Sequence, residues 1–150
     1  MERTIFFNNA DKGTSLRFRT ALKNFIKKQC HKEGVKIEAL QYVFCSDNYL
    51  LDINKQFLNH DYYTDIISFD LSDKKGVLKG EVYISIDRVK DNAKTEGNLY
   101  MHELLRVIFH GALHFCGYKD KKPSDAKLMR LMEDKWLKAY LNVPRGTSLI

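Results

Sequence analysis

The chain has 150 residues and a mass of 17.6 kDa, with 44% apolar and 12% aromatic residues, which suits one compact core and excludes intrinsic disorder. With 25 Lys and Arg against 19 Asp and Glu, the formal charge is +6 and the pI about 9.2; this favours a polyanionic partner such as RNA, although a solvated basic surface gives the same balance. No apolar run nears the ~20 residues of a bilayer span, and the opening Met1-Glu2-Arg3-Thr4-Ile5-Phe6-Phe7 turns polar at Asn8-Asn9, so neither a membrane span nor a secretory signal is expected.

In chain order, Thr4 to Phe7 is a β-branched and aromatic run that reads as a first strand. Leu16, Phe18, Leu22, Phe25 and Ile26 recur at helical spacing, which predicts a helix from Thr14 to Cys30, with Gly34 after its stop. Val35 to Cys45 reads as a strand, and Ser46 is placed to cap a helix from about Asp47 to Leu58. Ile66 to Phe69 is a short strand, Lys74-Lys75-Gly76 a turn, and Gly80 to Ile86 an alternating strand. A short helix from about Asp87 ends near Gly97. Asn98 to Cys116 is a long helix closed by Gly117, and Pro123 opens a last helix to about Leu141. The tail Val143 to Ile150 is expected to fray. With no linker or repeat, residues 1–150 read as one α/β (α+β) domain, a four-stranded mixed sheet packed with five helices. Cys30, Cys45 and Cys116 are odd in number and scattered; free thiols in a reducing compartment, and hence a cytoplasmic location, are expected.

The segment richest in chemistry is His110-Gly-Ala-Leu-His114-Phe-Cys-Gly117-Tyr-Lys-Asp120. At ~100° per residue, His110 and His114 differ by ~40° in direction and ~6 Å in height, so one helix face presents both imidazoles. Leu104, Leu105, Ile108, Ala112, Phe115 and Cys116 fall on the opposite side, which gives Cys116 a packing role. Gly117 can take the left-handed conformation that folds the chain back and brings Asp120 within reach. Two histidines and a carboxylate leave a tetrahedral Zn²⁺ one open position for water and a net charge of about +1; Fe²⁺ or Ni²⁺ suits the same donors. Arg106 and Glu103, three apart, are read as an exposed ion pair of little energetic weight. Arg19, Lys23 and Lys27 repeat every four residues and can follow a phosphate backbone or simply form a solvated face. Tyr62, Tyr63 and Tyr118 are candidates for stacking on unpaired bases, or for burial.

Metzincin proteases share the His-x-x-x-His-x-x-Gly-x-x-ligand spacing, but they carry a glutamate where this chain has Gly111, so the general base is missing. The segment His110 to Tyr118 instead resembles the YbeY family of metal-dependent endoribonucleases, also described as ribosomal RNA maturation factors. Thr64-Asp65-Ile66-Ile67-Ser68-Phe69 is similar to that family's Pro-Thr-Asp-Val-Leu-Ser-Phe, and Gly80-Glu81-Val82-Tyr83-Ile84-Ser85 to its Gly-Asp-Ile-x-Ile-Ser. The resemblance covers the chain from about Leu51 onward, in order and spacing. It implies zinc held by His110, His114 and Asp120, single-stranded ribosomal RNA as substrate, and ribosomal particles or proteins as partners. Asp120 stands where the family has a third histidine. A family arginine thought to act near the scissile phosphate aligns with Leu58, so a substitute cation is needed; His60, Arg88 and Lys119 are the candidates. The loss of that arginine leaves open a ribosome-assembly module with a structural metal.

Overall fold

The computed structural model describes residues 4–142; the tail from Val143 falls outside them. In chain order the elements are β1 (Ile5–Asn9), α1 (Arg19–Lys32), β2 (Lys36–Cys45), α2 (Asp47–Leu58), β3 (Ile66–Asp70), β4 (Val77–Ser85), α3 (Ile86–Glu96), α4 (Tyr100–Phe115) and α5 (Pro123–Asn142). The single mixed sheet runs β1-β2-β4-β3, with β1, β2 and β4 parallel and β3 antiparallel to β4.

The period-two pattern of the strands sends one set of side chains to each face. Phe7, Tyr42, Val82 and Ser68 form one cross-sheet row, with Leu40 and Gly80, and Phe44 and Ile84, in the rows beside it. These rows join the main core with Leu22, Phe25 and Ile26 of α1, Leu104, Ile108, Phe109 and Ala112 of α4, and Met129, Trp136 and Tyr140 of α5. Phe25 lies 5.4 Å from Phe109 and 5.1 Å from Tyr140, ring centre to ring centre. On the other face α2 covers a smaller cluster, Cys45, Leu50 and Ile67, edged by Phe69 and Tyr83.

The central helix α4 lies close against the sheet because small residues meet there. A Cβ on Gly111 would stand 3.1 Å from Val82 Cγ1 and 3.3 Å from Ile66 Cδ1, and one on Gly80 would overlap the Phe115 ring at 2.7 Å. Gly117 has φ 102, and its amide and that of Tyr118 return to the carbonyls of His114 and Leu113, closing α4 as its position predicted.

Other local signals hold as read. The Ser46 Oγ accepts the Tyr49 amide at 3.1 Å, and Pro123 is the first residue of α5. Two boundaries differ by three residues or more. The helix expected from Thr14 starts only at Arg19, because Phe18 has φ 57 and no side-chain cap precedes it. The segment before it is held by tertiary contacts instead: Leu16 is buried and the Tyr100 hydroxyl donates to Thr14 Oγ1 at 2.8 Å. β4 begins at Val77 rather than Gly80, since pairing with Lys36 and Ile37 extends it past the point where its own alternation is visible.

Candidate functional site

Helix pitch places Glu103, Arg106 and His110 along one side of α4, and α5 packs beside it with Arg130, Glu133 and Asp134. Between them and the start of β3 is a cavity of about 420 Å³, into which Asp65, His110, Asp120 and Glu133 face.

His110 is held at both ring nitrogens. Nδ1 lies 2.7 Å from Glu133 Oε2, and Nε2 lies 3.1 Å from Asp120 Oδ2. The Gly117 turn therefore brings Asp120 to His110, as the chain reversal predicted. Glu133 is 5% exposed; its other oxygen accepts Arg106 Nη1 at 3.1 Å, and Arg106 Nη2 donates to Asp134 at 2.6 Å. Arg130 reaches Glu96 at 3.3 Å and lies 4.0 Å from Glu133.

This arrangement corrects the reading of Arg106 and Glu103 as an exposed pair. The Arg106 side chain is 14% exposed and bonded across to α5, while Glu103 is buried and accepts from Asn98. Three apart on one helix, the two side chains each found a better partner on a neighbouring element.

Burial alone would lower the His110 pKa, but the hydrogen bond to Glu133 and the negative charges of Glu133, Asp120 and Asp65 reverse this and raise it above its ordinary value. Burial raises the carboxyl pKa of Asp65, with His110 opposing. Burial likewise raises that of Glu103, with Glu96 adding to it. When the Nδ1–H bond goes to Glu133, a neutral ring turns the Nε2 lone pair toward an Asp120 oxygen. Two acceptors at that distance repel unless they share a cation, either a proton or a metal ion.

The donors suit a divalent ion in part. Bond lengths of about 2.0–2.2 Å put two donors on a tetrahedral zinc about 3.3 Å apart, close to the 3.1 Å observed. The Nδ1–H to carboxylate bond is the usual means of orienting a ligating histidine. His114, one turn along α4, is exposed, with its ring 6.4 Å from that of Phe115, and it is not among the residues lining the cavity. Among the described residues, no three His, Cys, Asp or Glu side chains converge closely enough to hold a metal.

The three candidate cations stand elsewhere. His60 is exposed and stacks on Tyr62 at 5.1 Å. Arg88 pairs with Asp47 at 2.7 Å and lies over the Tyr63 ring. Lys119 is exposed beside a second cavity with Glu33 and Cys116. The arginines lining the His110 cavity are Arg106 and Arg130. Tyr62 and Tyr63 are at least half exposed, whereas the Tyr118 hydroxyl donates to Glu33 at 3.0 Å. Sequence reasoning missed Glu133 and Arg106. The available signal was an acidic residue within the apolar stripe Met129, Met132, Trp136 and Tyr140 of α5, and an arginine one turn before His110.

The sequence matches the family model described as endoribonuclease YbeY over residues 5–141. Similar proteins include the endoribonuclease YbeY of Cytophaga hutchinsonii, 49% identical over 133 residues, covering 89% of this chain and 93% of that one. That of Flavobacterium psychrophilum is 46% identical over 125 residues, covering 83% and 89%. A solution structure of a Thermotoga maritima protein aligns with a TM-score of 0.60 at 25% identity, over 91% of this chain and 89% of that one.

Proposed function

The chain belongs to the endoribonuclease YbeY family, and from that footing we propose that it is a metal-dependent endoribonuclease. Its substrate is single-stranded RNA, cut in the cytoplasm during ribosomal RNA maturation and ribosome quality control. The ion would be zinc, and His110, Asp120 and His114 would hold it. The observation that carries this reading is the 3.1 Å approach of His110 Nε2 to Asp120 Oδ2, with Nδ1 already committed to a buried carboxylate.

When bound, the ion would polarise a phosphoryl oxygen and acidify a water molecule. The residues of the chain supply the rest. Glu133 accepts from His110 Nδ1 and so orients the ring, and Arg106 holds the Glu133 carboxylate in position. Arg130, half exposed at the cavity, offsets charge that builds on a phosphate. Asp65, whose proton affinity burial raises, is a proton acceptor within the same cavity. His60, Arg88 and Lys119 lie outside it and would contact RNA away from the scissile bond.

A second reading, an assembly module with a structural metal, is favoured by Leu58, which stands partly exposed at the end of α2 where the family resemblance calls for an arginine. One experiment separates the two. Wild-type, His114→Ala and Asp120→Ala proteins, purified without chelator, are assayed for zinc content and for cleavage of single-stranded RNA. The proposal requires cleavage by the wild type and loss of both metal and cleavage in the variants. Cleavage that persists in both variants removes the site. Metal without cleavage, together with salt-sensitive binding to ribosomal particles, selects the assembly module.

A further inference from the structure

Two of the three cysteines meet although 86 positions separate them in the chain. The Cys116 thiol donates to the Cys30 sulfur at 3.7 Å. The backbone of each cysteine is fixed at a helix end. Cys30 is in the last turn of α1, where its carbonyl accepts the amides of Glu33 at 3.0 Å and Val35 at 2.9 Å. Cys116 follows the last residue of α4, its amide returning to Ala112 and Leu113.

Their exposure differs in a way that matters for chemistry. Cys30 is completely buried. Cys116 is partly exposed and lines a cavity of about 550 Å³ with Glu33, Tyr118, Lys119 and Lys122. A small oxidant entering there meets Cys116 and finds Cys30 directly behind it. The third thiol, Cys45, is buried elsewhere and donates to the Ile84 carbonyl at 3.5 Å, so it serves as an internal control.

We propose that Cys116 and Cys30 form a peroxide-reactive pair, with Cys116 as the attacking thiol and Cys30 as the resolving one. Cys116 sulfur attacks one oxygen of hydrogen peroxide, the O–O bond breaks, and Cys116 becomes a sulfenic acid as water leaves. Cys30 sulfur then attacks the Cys116 sulfur, the S–O bond breaks, and a second water carries off the hydroxyl group with the Cys30 proton. Two thiols lose two electrons and one peroxide becomes two waters. The sulfurs must approach to about 2.05 Å, a closure of about 1.6 Å that side-chain rotation at the helix ends can supply. The new bond ties the end of α1 to the start of the turn that carries Asp120, and thiol reductants reverse it.

Reduced wild-type protein is exposed to hydrogen peroxide, quenched, unfolded and alkylated, and its peptides are weighed. Alkylatable thiols fall from three to one, the chain loses the mass of two hydrogens, and a Cys30–Cys116 linked peptide appears that dithiothreitol abolishes. In Cys30→Ser, Cys116 stops at a sulfenic acid that dimedone traps. In Cys116→Ser, Cys30 keeps its thiol. Three intact thiols in the treated wild type, or Cys116 driven to sulfinic acid beside a free Cys30, would overturn the proposal, and both readouts use the wild-type chain.

Discussion

Gly111 occupies the position where a metzincin would carry its catalytic glutamate, and the cost of adding one methyl group there can be worked from the structure. Gly111 is buried in α4, and an added Cβ would lie 3.1 and 3.3 Å from the two Val82 methyls and 3.3 Å from Ile66 Cδ1. Carbon atoms pack comfortably at about 3.5–4.0 Å, so the shortfall is about half an ångström against two strands at once. Val82 is β-branched and fully buried, and its stiff side chain cannot swing clear. Alanine gains about 1 kcal/mol over glycine in a helix interior, while overpacking a tight core costs about 1–3 kcal/mol. The expected net for Gly111→Ala is a loss of about 1 kcal/mol, or about 2–4 °C in Tm for a chain of this size. Scanning calorimetry on the two proteins measures it. A Tm that rises by that amount, the unopposed helix-propensity gain, would refute the close approach. Gly111→Glu would drive a carboxylate into the same contact and should prevent folding altogether.

Arg106→Ala leaves the nearly buried Glu133 carboxylate with only His110 and the longer Arg130 contact, and urea unfolding should show a loss of about 1–3 kcal/mol; no measurable loss would mean that those two partners and water already satisfy the carboxylate. In the metal-free protein the raised His110 pKa gives a defined pH dependence. The contribution of His110 is fully present below its unfolded pKa of about 6.5 and is lost as pH rises through the higher folded value. The stability difference between wild type and His110→Gln should therefore be largest in mild acid and shrink toward alkaline pH, and a difference unchanged across that range would contradict the assignment. Ser46→Ala removes the cap of α2 and the hydroxyl bond to Asp11 at 2.5 Å, and a thermal melt should record a loss of about 1 kcal/mol.

What could be read from the sequence follows from how local each signal is. Ser46 and Gly117 mark helix ends through hydrogen bonds within a few residues of themselves, Pro123 does so through its fixed φ and missing N–H, and all three ends lie where those residues put them. The segment leading into α1 is held in part by Tyr100, 86 positions from Thr14, which no window around Thr14 contains. The approach of Asp120 to His110 was legible because one helix turn and one glycine determine it. The hold of Glu133 on His110 joins two helices through the way they pack, and the sequence marks it only as an acidic residue out of place in an apolar stripe.

The charges around the cavity connect this missed layer to the chemistry. Asp65, Glu96, Glu103, Asp120 and Glu133 line it against Arg106 and Arg130, so with His110 neutral and every carboxyl ionised the lining carries a charge of −3, within a chain of net charge +6. Burial relieves part of that repulsion by favouring the protonated forms of Asp65 and Glu103, and the shared proton on His110 relieves more. A phosphate is repelled by such a lining and a divalent cation is drawn to it. The Asp120 carboxylate adds to the attraction for a cation and to the repulsion of an anion. On the proposed reading the cation would therefore bind first and RNA second, because a bound metal would convert an acidic cavity into one that a phosphate can enter.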